Sequence, residues 1–333
     1  MVRITVFGAG AMGTAVAMHL ARAGNEVTLW ASEFDRPVLA ALLDERRHPA
    51  LPDHLPESLI VKQPDELGEA GKDLEVAVMG AHSGGARTLG RIVAGGGAEL
   101  PTVVVVAKGL ERGTGKRMSE VYAEELGHDR IVSMGGPALA PEVASALPTA
   151  SVLASRPMDA AERVAEAFRA PHFHVDVTDD VAGVEYCTVA KNVAAIGMGI
   201  VDGLGRVRGQ AYRNAKAALF TQAFQEMRAL VEGLGGREET VMGLAGLGDT
   251  LVTSLGGRNR LFGELVGEGT EPRVALDHLA SEGMTVEGWE SAEDIGRLAR
   301  EHAHIGELPY LDQVHRILFE GAPAGSVLEV LKG

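Results

Sequence analysis

The sequence predicts an α/β protein in which a doubly wound, largely parallel sheet is followed by an all-helical domain. Up to residue 178, short apolar runs alternate with helical patterns, and such alternation builds parallel sheets covered on both faces. From residue 179 onwards, amphipathic helical stretches are separated by glycine-rich breaks, and no strand is predicted. Because 333 residues exceed the size at which one core keeps growing, we predict two domains, residues 1–178 and 179–333.

Each predicted strand is a short apolar run rich in β-branched residues, and each predicted helix repeats its apolar residues at helical spacing. The strands, in order, are Val2–Phe7, Glu26–Trp30, Ser58–Lys62, Leu74–Met79, Thr102–Ala107, Arg130–Met134, Ala150–Ala154 and Phe173–Val177. The helices between them are Thr14–Ala23, Pro37–Glu45, Gly84–Ala94, Lys116–Glu125, Ala140–Ala146 and Pro157–Phe168.

The first strand runs directly into Gly8-Ala9-Gly10-Ala11-Met12-Gly13, and a helix follows. In this setting each glycine has a purpose. Gly8 allows a tight turn, Gly10 lets the backbone approach a pyrophosphate, and Gly13 lets the helix pack closely on the strand. The helix N-terminus then directs its unpaired N–H groups at the phosphates. The pattern predicts a Rossmann-type dinucleotide site.

An acidic residue after the second strand bears on the choice of cofactor. Glu33 lies about 20 residues beyond the last glycine, where a carboxylate accepts hydrogen bonds from the adenosine ribose and repels a 2′-phosphate. We therefore predict NAD, with NADP possible. Two alternatives stay open: Asp35 can take the same role, and Ser32 with Arg36 can form a clamp for the phosphate of NADP.

Composition narrows the class of partner. A formal net charge of −15 disfavours nucleic acid and anionic membranes. The single cysteine, Cys187, excludes an intramolecular disulfide and fits a reducing compartment. The strand that begins at residue 2 leaves no signal peptide, and we find no apolar run of the roughly 18 residues that a membrane helix needs. We expect a cytoplasmic homodimer that is not inserted in a membrane.

Two lysines are candidates for the chemistry. Lys108 follows the Thr102–Ala107 strand, so it lies at the carboxyl end of the sheet, where doubly wound proteins bind ligands. Lys191 and Asn192 interrupt an otherwise apolar helix, Cys187–Val201, where a lysine is costly unless it has a function or reaches solvent. Each lysine can instead be an exposed amine or part of a structural ion pair.

A glycine-rich region follows, with Gly243-Leu244-Ala245-Gly246-Leu247-Gly248-Asp249, then Thr253, then Gly256-Gly257-Arg258-Asn259-Arg260. We interpret it as glycine-rich turns that present an acid to orient a catalytic lysine and a guanidinium to grip a phosphate. No metal site is predicted, because His172 and His174 have no acidic or cysteine partner at metal-ligand spacing.

These motifs together resemble one family. Along nearly its whole length the chain is similar to the NAD(P)-dependent glycerol-3-phosphate dehydrogenases. The matching segments are GAGAMGTAVA, VVAKGLERGTG, GGPALAPEVA, AKNVAAIGMGIVDGL, NAKAALFTQAFQEM, GLAGLGD, GGRNR and VEGWESA.

The resemblance implies a role for each matching position. Lys191 is the proton donor and acceptor, Lys108 stabilises the reacting oxygen, and Asp249 orients the lysines. The implied substrate-binding residues are Lys108, Gly136, Asn192, Asp249, Thr253, Arg258 and Asn259. The implied cofactor-binding residues are Gly8, Gly10, Ala11, Met12, Gly13, Glu33, Ser83, Lys108, Ala140, Arg258 and Glu287.

The predicted function is reversible hydride transfer between NAD(H) and C2 of sn-glycerol 3-phosphate, with dihydroxyacetone phosphate as the ketone, supplying glycerol phosphate for phospholipid synthesis. One alternative is a related dehydrogenase that acts on another small polyol phosphate or a hydroxyacid. Another is a non-catalytic NAD(H)-sensing protein on the same scaffold.

Overall fold

The computed structural model describes residues 1–302 and 305–332. These residues form two compact units, Met1–Val181 and Ala182–Gly333. The first unit is built on one eight-stranded sheet with the order β3-β2-β1-β4-β5-β6-β7-β8. Its strands are β1 (Arg3–Phe7), β2 (Glu26–Trp30), β3 (Ile60–Lys62), β4 (Val76–Met79), β5 (Val103–Val105), β6 (Ile131–Gly135), β7 (Thr149–Ala154) and β8 (Phe173–Thr178).

All neighbouring strands pair parallel except β6 and β7, which are antiparallel. The α/β fold class is confirmed, and the strand ends differ from the predicted ones by a few residues. The helices of this unit are α1 (Ala11–Arg22), α2 (Arg36–Asp44), α3 (Leu67–Ala70), α4 (Ala86–Gly95), α5 (Met118–Leu126), α6 (Ala140–Ala144) and α7 (Met158–Phe168). The short helix α3 was not predicted.

Alternation of side chains along the strands builds a core on each face of the sheet. On β4, Val76 and Val78 join a core with helices α1 and α7, whereas Ala77 and Met79 join a second core with α4 and α5. Successive side chains of a strand point to opposite faces, so a strand buried on both sides is apolar throughout. This is why the central strands appear in the sequence as continuous apolar runs.

The second unit is helical, as predicted. Its helices are α8 (Val181–Arg208), α9 (Arg213–Gly233), α10 (Glu238–Met242), α11 (Asp249–Leu255), α12 (Arg258–Gly267), α13 (Pro272–Ser281), α14 (Glu287–Glu301) and α15 (Pro309–Phe319), followed by a 3-10 segment, Ala324–Lys332.

Helix α8 is almost twice as long as the predicted Cys187–Val201. The prediction that no run is long and apolar enough for a membrane helix was therefore wrong: α8 has an 18-residue window of mean hydropathy 1.2. Burial explains the composition, because 94% of that window is buried. One such helix is weak support for a membrane span, since the core helix of a globular domain meets the same criterion.

The histidines after α7 have partners that the sequence did not predict. His174 Nε2 lies 2.8 Å from the carboxylate of Asp176, an acidic neighbour that the sequence analysis did not name. His172 Nε2 lies 3.3 Å from Nδ1 of the buried His19. Each contact joins two side chains. The described residues include no group of three or more His, Cys, Asp or Glu side chains that could hold a metal ion.

Candidate active site

The turn between β1 and α1 has the geometry of a phosphate-binding loop. Gly8 has φ +100°, which only glycine adopts readily. A Cβ at Gly13 would lie 2.4 Å from the carbonyl oxygen of Gly8, so helix and turn meet too closely for any side chain. At Gly10 an added Cβ would meet only the oxygen of Gly80 within 4 Å, at 3.7 Å, which leaves room for a pyrophosphate.

The helix begins at Ala11, three residues before the predicted start, because Gly10 already accepts the first helical hydrogen bond, from the N–H of Thr14 at 2.9 Å. The early start places the unpaired N–H groups of the first turn directly beside the glycines. The residues of the turn therefore fit a dinucleotide. A further glycine, Gly80 after β4, was missed: its Cβ would lie 2.7 Å from Gly8 oxygen.

The other cofactor candidates of this unit follow the carboxyl ends of neighbouring strands. Glu33 follows β2, Ser83 follows β4, Lys108 follows β5 and Gly136 follows β6. Lys108 Nζ donates a hydrogen bond to the carbonyl oxygen of Gly136 at 3.1 Å. Ala140 is the first residue of α6. A small cavity brings part of this set together, lined by Met12, Val106, Lys108, Met134, Gly135, Gly136 and Ala138.

Glu33 is engaged by a cation. Arg36 Nε donates to its carboxylate at 2.5 Å, and both side chains are more than half exposed. The hydrogen bond from Arg36 lowers the pKa of Glu33. Asp35, the alternative ribose acceptor, instead accepts hydrogen bonds from the N–H and hydroxyl of Ser32, at 2.8 and 2.6 Å. Ser32 and Arg36 thus each contact an acid and do not form the clamp considered above.

In the helical unit, Lys191 and Asp249 form a buried ion pair. Lys191 Nζ lies 2.7 Å from Asp249 Oδ1, and the side chains are 6% and 2% exposed. Nζ also donates to the hydroxyl of Thr253 at 3.2 Å, and that hydroxyl donates to the Asp249 carbonyl at 2.7 Å. The lysine that interrupts the apolar helix therefore holds its ammonium group in a fixed position.

An unusual helical segment places Asp249. We predicted glycine-rich turns here, but Leu244–Gly248 is a π-helix that leads directly into α11. A Cβ at Gly246 would lie 2.0 Å from the oxygen of Val241, so the wide turn requires glycine. The π-helix inserts backbone into a helical run and often marks a functional site. Here it brings the first residue of α11 to Lys191.

Two asparagines connect three helices close to Lys191. Asn259 Nδ2 donates to Asn192 Oδ1 at 2.9 Å, while Asn259 Oδ1 accepts from the N–H of Gly288 at 2.9 Å. Asn192 Nδ2 donates to Ser291 Oγ at 3.3 Å. Glu287 starts α14 beside this network. Sequence reasoning missed Ser291, although it falls within the VEGWESA segment, one helical turn after Glu287.

Arg258 is arranged differently from its neighbours. It is the first residue of α12, its side chain is exposed, and no hydrogen bond or ion pair joins it to another of the described residues. Arg260, two positions later, is fully engaged with Asp202 at 2.9 and 2.8 Å. Of these two arginines, it is Arg258, at the helix N-terminus, whose guanidinium remains available to an anion.

Close packing of α8 against α12 fixes the distance between these groups. Added Cβ atoms at Gly199 and Gly203 would lie 2.1 and 2.2 Å from carbonyl oxygens of α12, and those at Gly263 and Gly267 would lie 2.1 and 2.2 Å from carbonyl oxygens of α8. The two backbones touch along a stripe in which both helices have glycine at a spacing of four. That spacing is visible in the sequence and could have predicted the contact.

Comparison with known proteins identifies the family. Residues 3–161 match the model for the NAD-dependent glycerol-3-phosphate dehydrogenase N-terminus, and residues 180–329 match that for its C-terminus. The chain belongs to the NAD-dependent glycerol-3-phosphate dehydrogenase family. The resemblance predicted from the motifs is confirmed.

Individual relatives of this glycerol-3-phosphate dehydrogenase family cover almost the whole chain. An NADP(+)-dependent glycerol-3-phosphate dehydrogenase of Archaeoglobus fulgidus is 34% identical over 98% of this chain and 97% of its own length. A glycerol-3-phosphate dehydrogenase [NAD(P)+] of Salinibacter ruber is 40% identical over 95% and 90%. The crystal structure of the Coxiella burnetii glycerol-3-phosphate dehydrogenase superposes with a TM-score of 0.87 at 34% identity, covering 99% and 98% of the two chains.

Proposed function

We propose that this protein is an NAD(P)-dependent dehydrogenase that interconverts sn-glycerol 3-phosphate and dihydroxyacetone phosphate by hydride transfer at C2, and so supplies glycerol phosphate for phospholipid synthesis. The observation that carries the proposal is the buried contact of Lys191 with Asp249 and Thr253, in a chain of this family. A bound nicotinamide supplies the hydride in ketone reduction and accepts it in the reverse direction.

Lys191 is the proposed acid and base. When the carbonyl carbon gains a hydride, its oxygen becomes negative, and the Lys191 ammonium donates a proton to that oxygen. Asp249 holds Nζ in place at 2.7 Å and balances its charge in a buried site. Thr253 Oγ1 adds a second fixed contact, at 3.2 Å, which restricts the direction of the lysine N–H bonds. In the other direction the same amine, after losing its proton, accepts one from the alcohol.

Lys108 is the proposed electrostatic stabiliser of the developing oxyanion. Its Nζ is held by the Gly136 carbonyl at 3.1 Å, so the charge is already oriented before reaction. The small cavity that Lys108 lines with Met12 supports a location next to the cofactor turn.

We propose that the N-terminus of α12 binds the substrate phosphate. Arg258 offers a fork of N–H donors that matches phosphate oxygens, and the backbone N–H groups of the first helical turn add further donors. Local donors are needed because the net charge of −15 repels a dianion at long range. Asn192 and Asn259 keep their proposed substrate-binding role, supported by their place beside Arg258 and Lys191 in the chain.

For the cofactor we propose a preference for NAD over NADP. Glu33, after β2, is suited to accept hydrogen bonds from the ribose hydroxyls. Its ion pair with Arg36 reduces the negative charge that a 2′-phosphate would meet. We therefore expect both cofactors to be used, with NADH the better one.

We also propose that the enzyme is a cytoplasmic homodimer. Large apolar side chains on α11, Leu251 and Leu255, are 49% and 71% exposed, and such side chains favour burial in an interface. Light scattering after size exclusion tests this proposal, since a mass of one chain over the working concentration range would contradict it.

Turnover tests the proposed function. The purified protein with NADH should lose nicotinamide absorbance on addition of dihydroxyacetone phosphate, and much more slowly with unphosphorylated dihydroxyacetone, other phosphorylated ketones and aldehydes, or 2-oxo acids. A faster reaction with one of the latter would indicate a related dehydrogenase. Tight NADH binding with no turnover of any ketone would indicate a cofactor-sensing protein.

A further inference from the structure

The connection between β5 and α5, residues 106–117, carries Lys108 and has few regular contacts of its own. Within it, Leu110 bridges Arg117, and the N–H of Glu111 donates to the oxygen of Lys116 at 2.8 Å. Loops of about this length without secondary structure are mobile unless side chains hold them in place. A group that must stabilise charge in a transition state needs such restraint.

Arg87, on α4, supplies a restraint through Glu111. Its Nε donates to Glu111 Oε1 at 2.5 Å and its Nη2 to Glu111 Oε2 at 2.8 Å, which is the bidentate geometry of a strong charge-assisted pair. Glu111 is three residues after Lys108. Its Oε2 also accepts from the hydroxyl of Thr114 at 2.6 Å, so the same carboxylate holds the far side of the loop.

The electrostatic environment makes Arg87 hard to replace. Besides Glu111 it contacts two carboxylates of α5, Glu124 at 3.0 Å and Glu125. Without the guanidinium, Glu111 would lose its bidentate partner, whereas each of the two α5 carboxylates would keep a second cation. Arg87 is 24% exposed and Glu111 15%, so solvent screens this pair less than an ordinary surface pair. The hydrogen bonds from Arg87 hold the pKa of Glu111 at about 2.

We propose that Arg87 is a positioning residue for the reaction: its bidentate pair with Glu111 fixes the loop that presents Lys108. This inference rests on the proposed function, in which Lys108 stabilises the reacting oxygen. Among the described residues, the Arg87 guanidinium contacts the carboxylates of Glu111, Glu124 and Glu125 and neither the lysine nor the cofactor turn. Its effect on catalysis must therefore pass through the loop.

Three variants test the proposal. Arg87→Lys keeps the positive charge but loses the fork, and Glu111→Gln keeps the shape of the partner but loses its charge. Arg91→Lys is the matched control, because Arg91 lies one turn further along α4 and, within residues 1–302 and 305–332, forms an ion pair with Glu125 alone, at 3.2 Å. We expect kcat for dihydroxyacetone phosphate reduction to fall about 10- to 100-fold in the first two variants, since a displacement of about 1 Å has that effect.

Three further measurements separate positioning from general damage: the KM for the ketone, the kcat of a double variant, and hydrogen exchange in the loop. The KM for the ketone should stay within about threefold of wild type. The double variant Arg87→Lys/Glu111→Gln should be no slower than the worse single variant, because both changes disrupt the same ion pair. Hydrogen exchange should show faster exchange at the N–H groups of Glu111 and Gly115, which are hydrogen-bonded in the intact loop. Arg91→Lys should leave kcat, KM and loop exchange at wild-type values.

The proposal is overturned if Arg87→Lys and Glu111→Gln retain kcat within about threefold, if Arg91→Lys is equally slow, or if loop exchange is unchanged. Failure of the proposed function would be a different result: wild-type protein would then oxidise no NADH with dihydroxyacetone phosphate. In that case the exchange comparison still decides whether Arg87 fixes the loop.

Discussion

Asn259 and Asn192 hydrogen-bond to each other through their side-chain amides, Nδ2 to Oδ1 at 2.9 Å, and both are buried. Asn259 is the second residue of α12, directly after Arg258. Its remaining oxygen accepts from the N–H of Gly288, the second residue of α14. The pair therefore fixes the N-termini of two helices against α8. One of them, the N-terminus of α12, is the proposed phosphate site, which is thereby held in place.

Replacing Asn259 with alanine should destabilise the protein. The change leaves Asn192 Oδ1 and the N–H of Gly288 without their partner, and an unsatisfied buried group costs about 1–3 kcal/mol. Urea unfolding measures the loss. Asn214→Ala is the matched control, because Asn214 is also the second residue of its helix, α9, but is exposed. Equal unfolding midpoints for the two variants would mean that the amide pair has no structural role.

Lys191→Ala should reduce turnover by at least about 100-fold, the usual contribution of a positioned acid–base group. It should also destabilise the fold by about 3–5 kcal/mol, because it leaves the Asp249 carboxylate buried without its partner. The double variant Lys191→Met/Asp249→Leu separates the two effects: an apolar pair should restore stability without restoring turnover. Kinetics and urea unfolding on both variants provide the test.

The control for this prediction is Lys216→Met, which removes a lysine from another ion pair, that with Asp202, in the same unit. Arg260 still neutralises that carboxylate, so turnover should change little. Near-normal turnover in folded Lys191→Met/Asp249→Leu would remove Lys191 from the mechanism.

Arg258→Lys should raise the KM for dihydroxyacetone phosphate about 10-fold or more, because a charge-assisted hydrogen bond contributes about 1.5–3 kcal/mol and a lysine cannot reproduce the fork. Unphosphorylated dihydroxyacetone gives an internal control: whatever its rate, Arg258→Lys should leave its kcat/KM unchanged. A variant that lowers kcat/KM equally for both ketones would place the phosphate elsewhere.

The architecture was predictable because its signals are local. Strands buried on both faces appear as continuous apolar runs, and the turn after β1 needs glycine at fixed positions. The charged contacts of the cofactor region were harder to predict from the sequence. Glu33 has the right spacing for a ribose acceptor, but nothing in the spacing says that Arg36 rather than solvent contacts it, because that depends on side-chain rotamers over a single turn.

In the helical unit, the structural role of the glycines was difficult to predict from the sequence. The glycines of segments 243–249 and 256–257 were interpreted as turns, since glycine is common in turns, and the glycines within the predicted helix Cys187–Val201 were given no packing role. At Gly246 the glycine permits a π-helix, and at Gly199 and Gly263 it permits contact between two helix backbones. All three uses need a residue without a side chain, so composition alone cannot separate them. The spacing of four on both α8 and α12 was the available signal.

Cofactor preference depends on the pair formed by Glu33 and Arg36. We predict that wild type prefers NADH, and that Glu33→Ser shifts the ratio of kcat/KM values towards NADPH about 10- to 100-fold, equivalent to about 1–3 kcal/mol, because it removes a repelling carboxylate and frees Arg36 to bind a 2′-phosphate. Arg36→Ala should shift the ratio the other way, because it leaves the Glu33 charge unpaired. Unchanged ratios in both variants would mean that the pair faces solvent in the complex.

The last prediction concerns acid stability and a histidine far from the proposed chemistry. His19, on α1, is fully buried, stacks on Phe173 with ring centroids 4.1 Å apart, and its Nε2 lies 2.7 Å from the Phe168 carbonyl oxygen. Burial lowers its pKa from 6.5 to about 4, although the hydrogen bond to Phe168 acts in the opposite direction. The unfolded chain therefore binds a proton between pH 6.5 and 4 that the folded protein does not.

In that window the free energy of unfolding should fall as the pH falls, by about 3 kcal/mol in total for this group, since one pKa unit corresponds to about 1.4 kcal/mol. His19→Phe removes the titration and keeps an aromatic ring in the cluster. Urea unfolding of both proteins from pH 7 to pH 4 should therefore show the wild type losing stability relative to the variant as the pH decreases. Other groups with shifted pKa values, such as Asp294, are present in both proteins, so their contributions to the free energy of unfolding cancel in the difference. His278→Phe, at an exposed position, should show no such trend. A stability difference between wild type and His19→Phe that stays constant with pH would mean that His19 titrates normally in the folded protein.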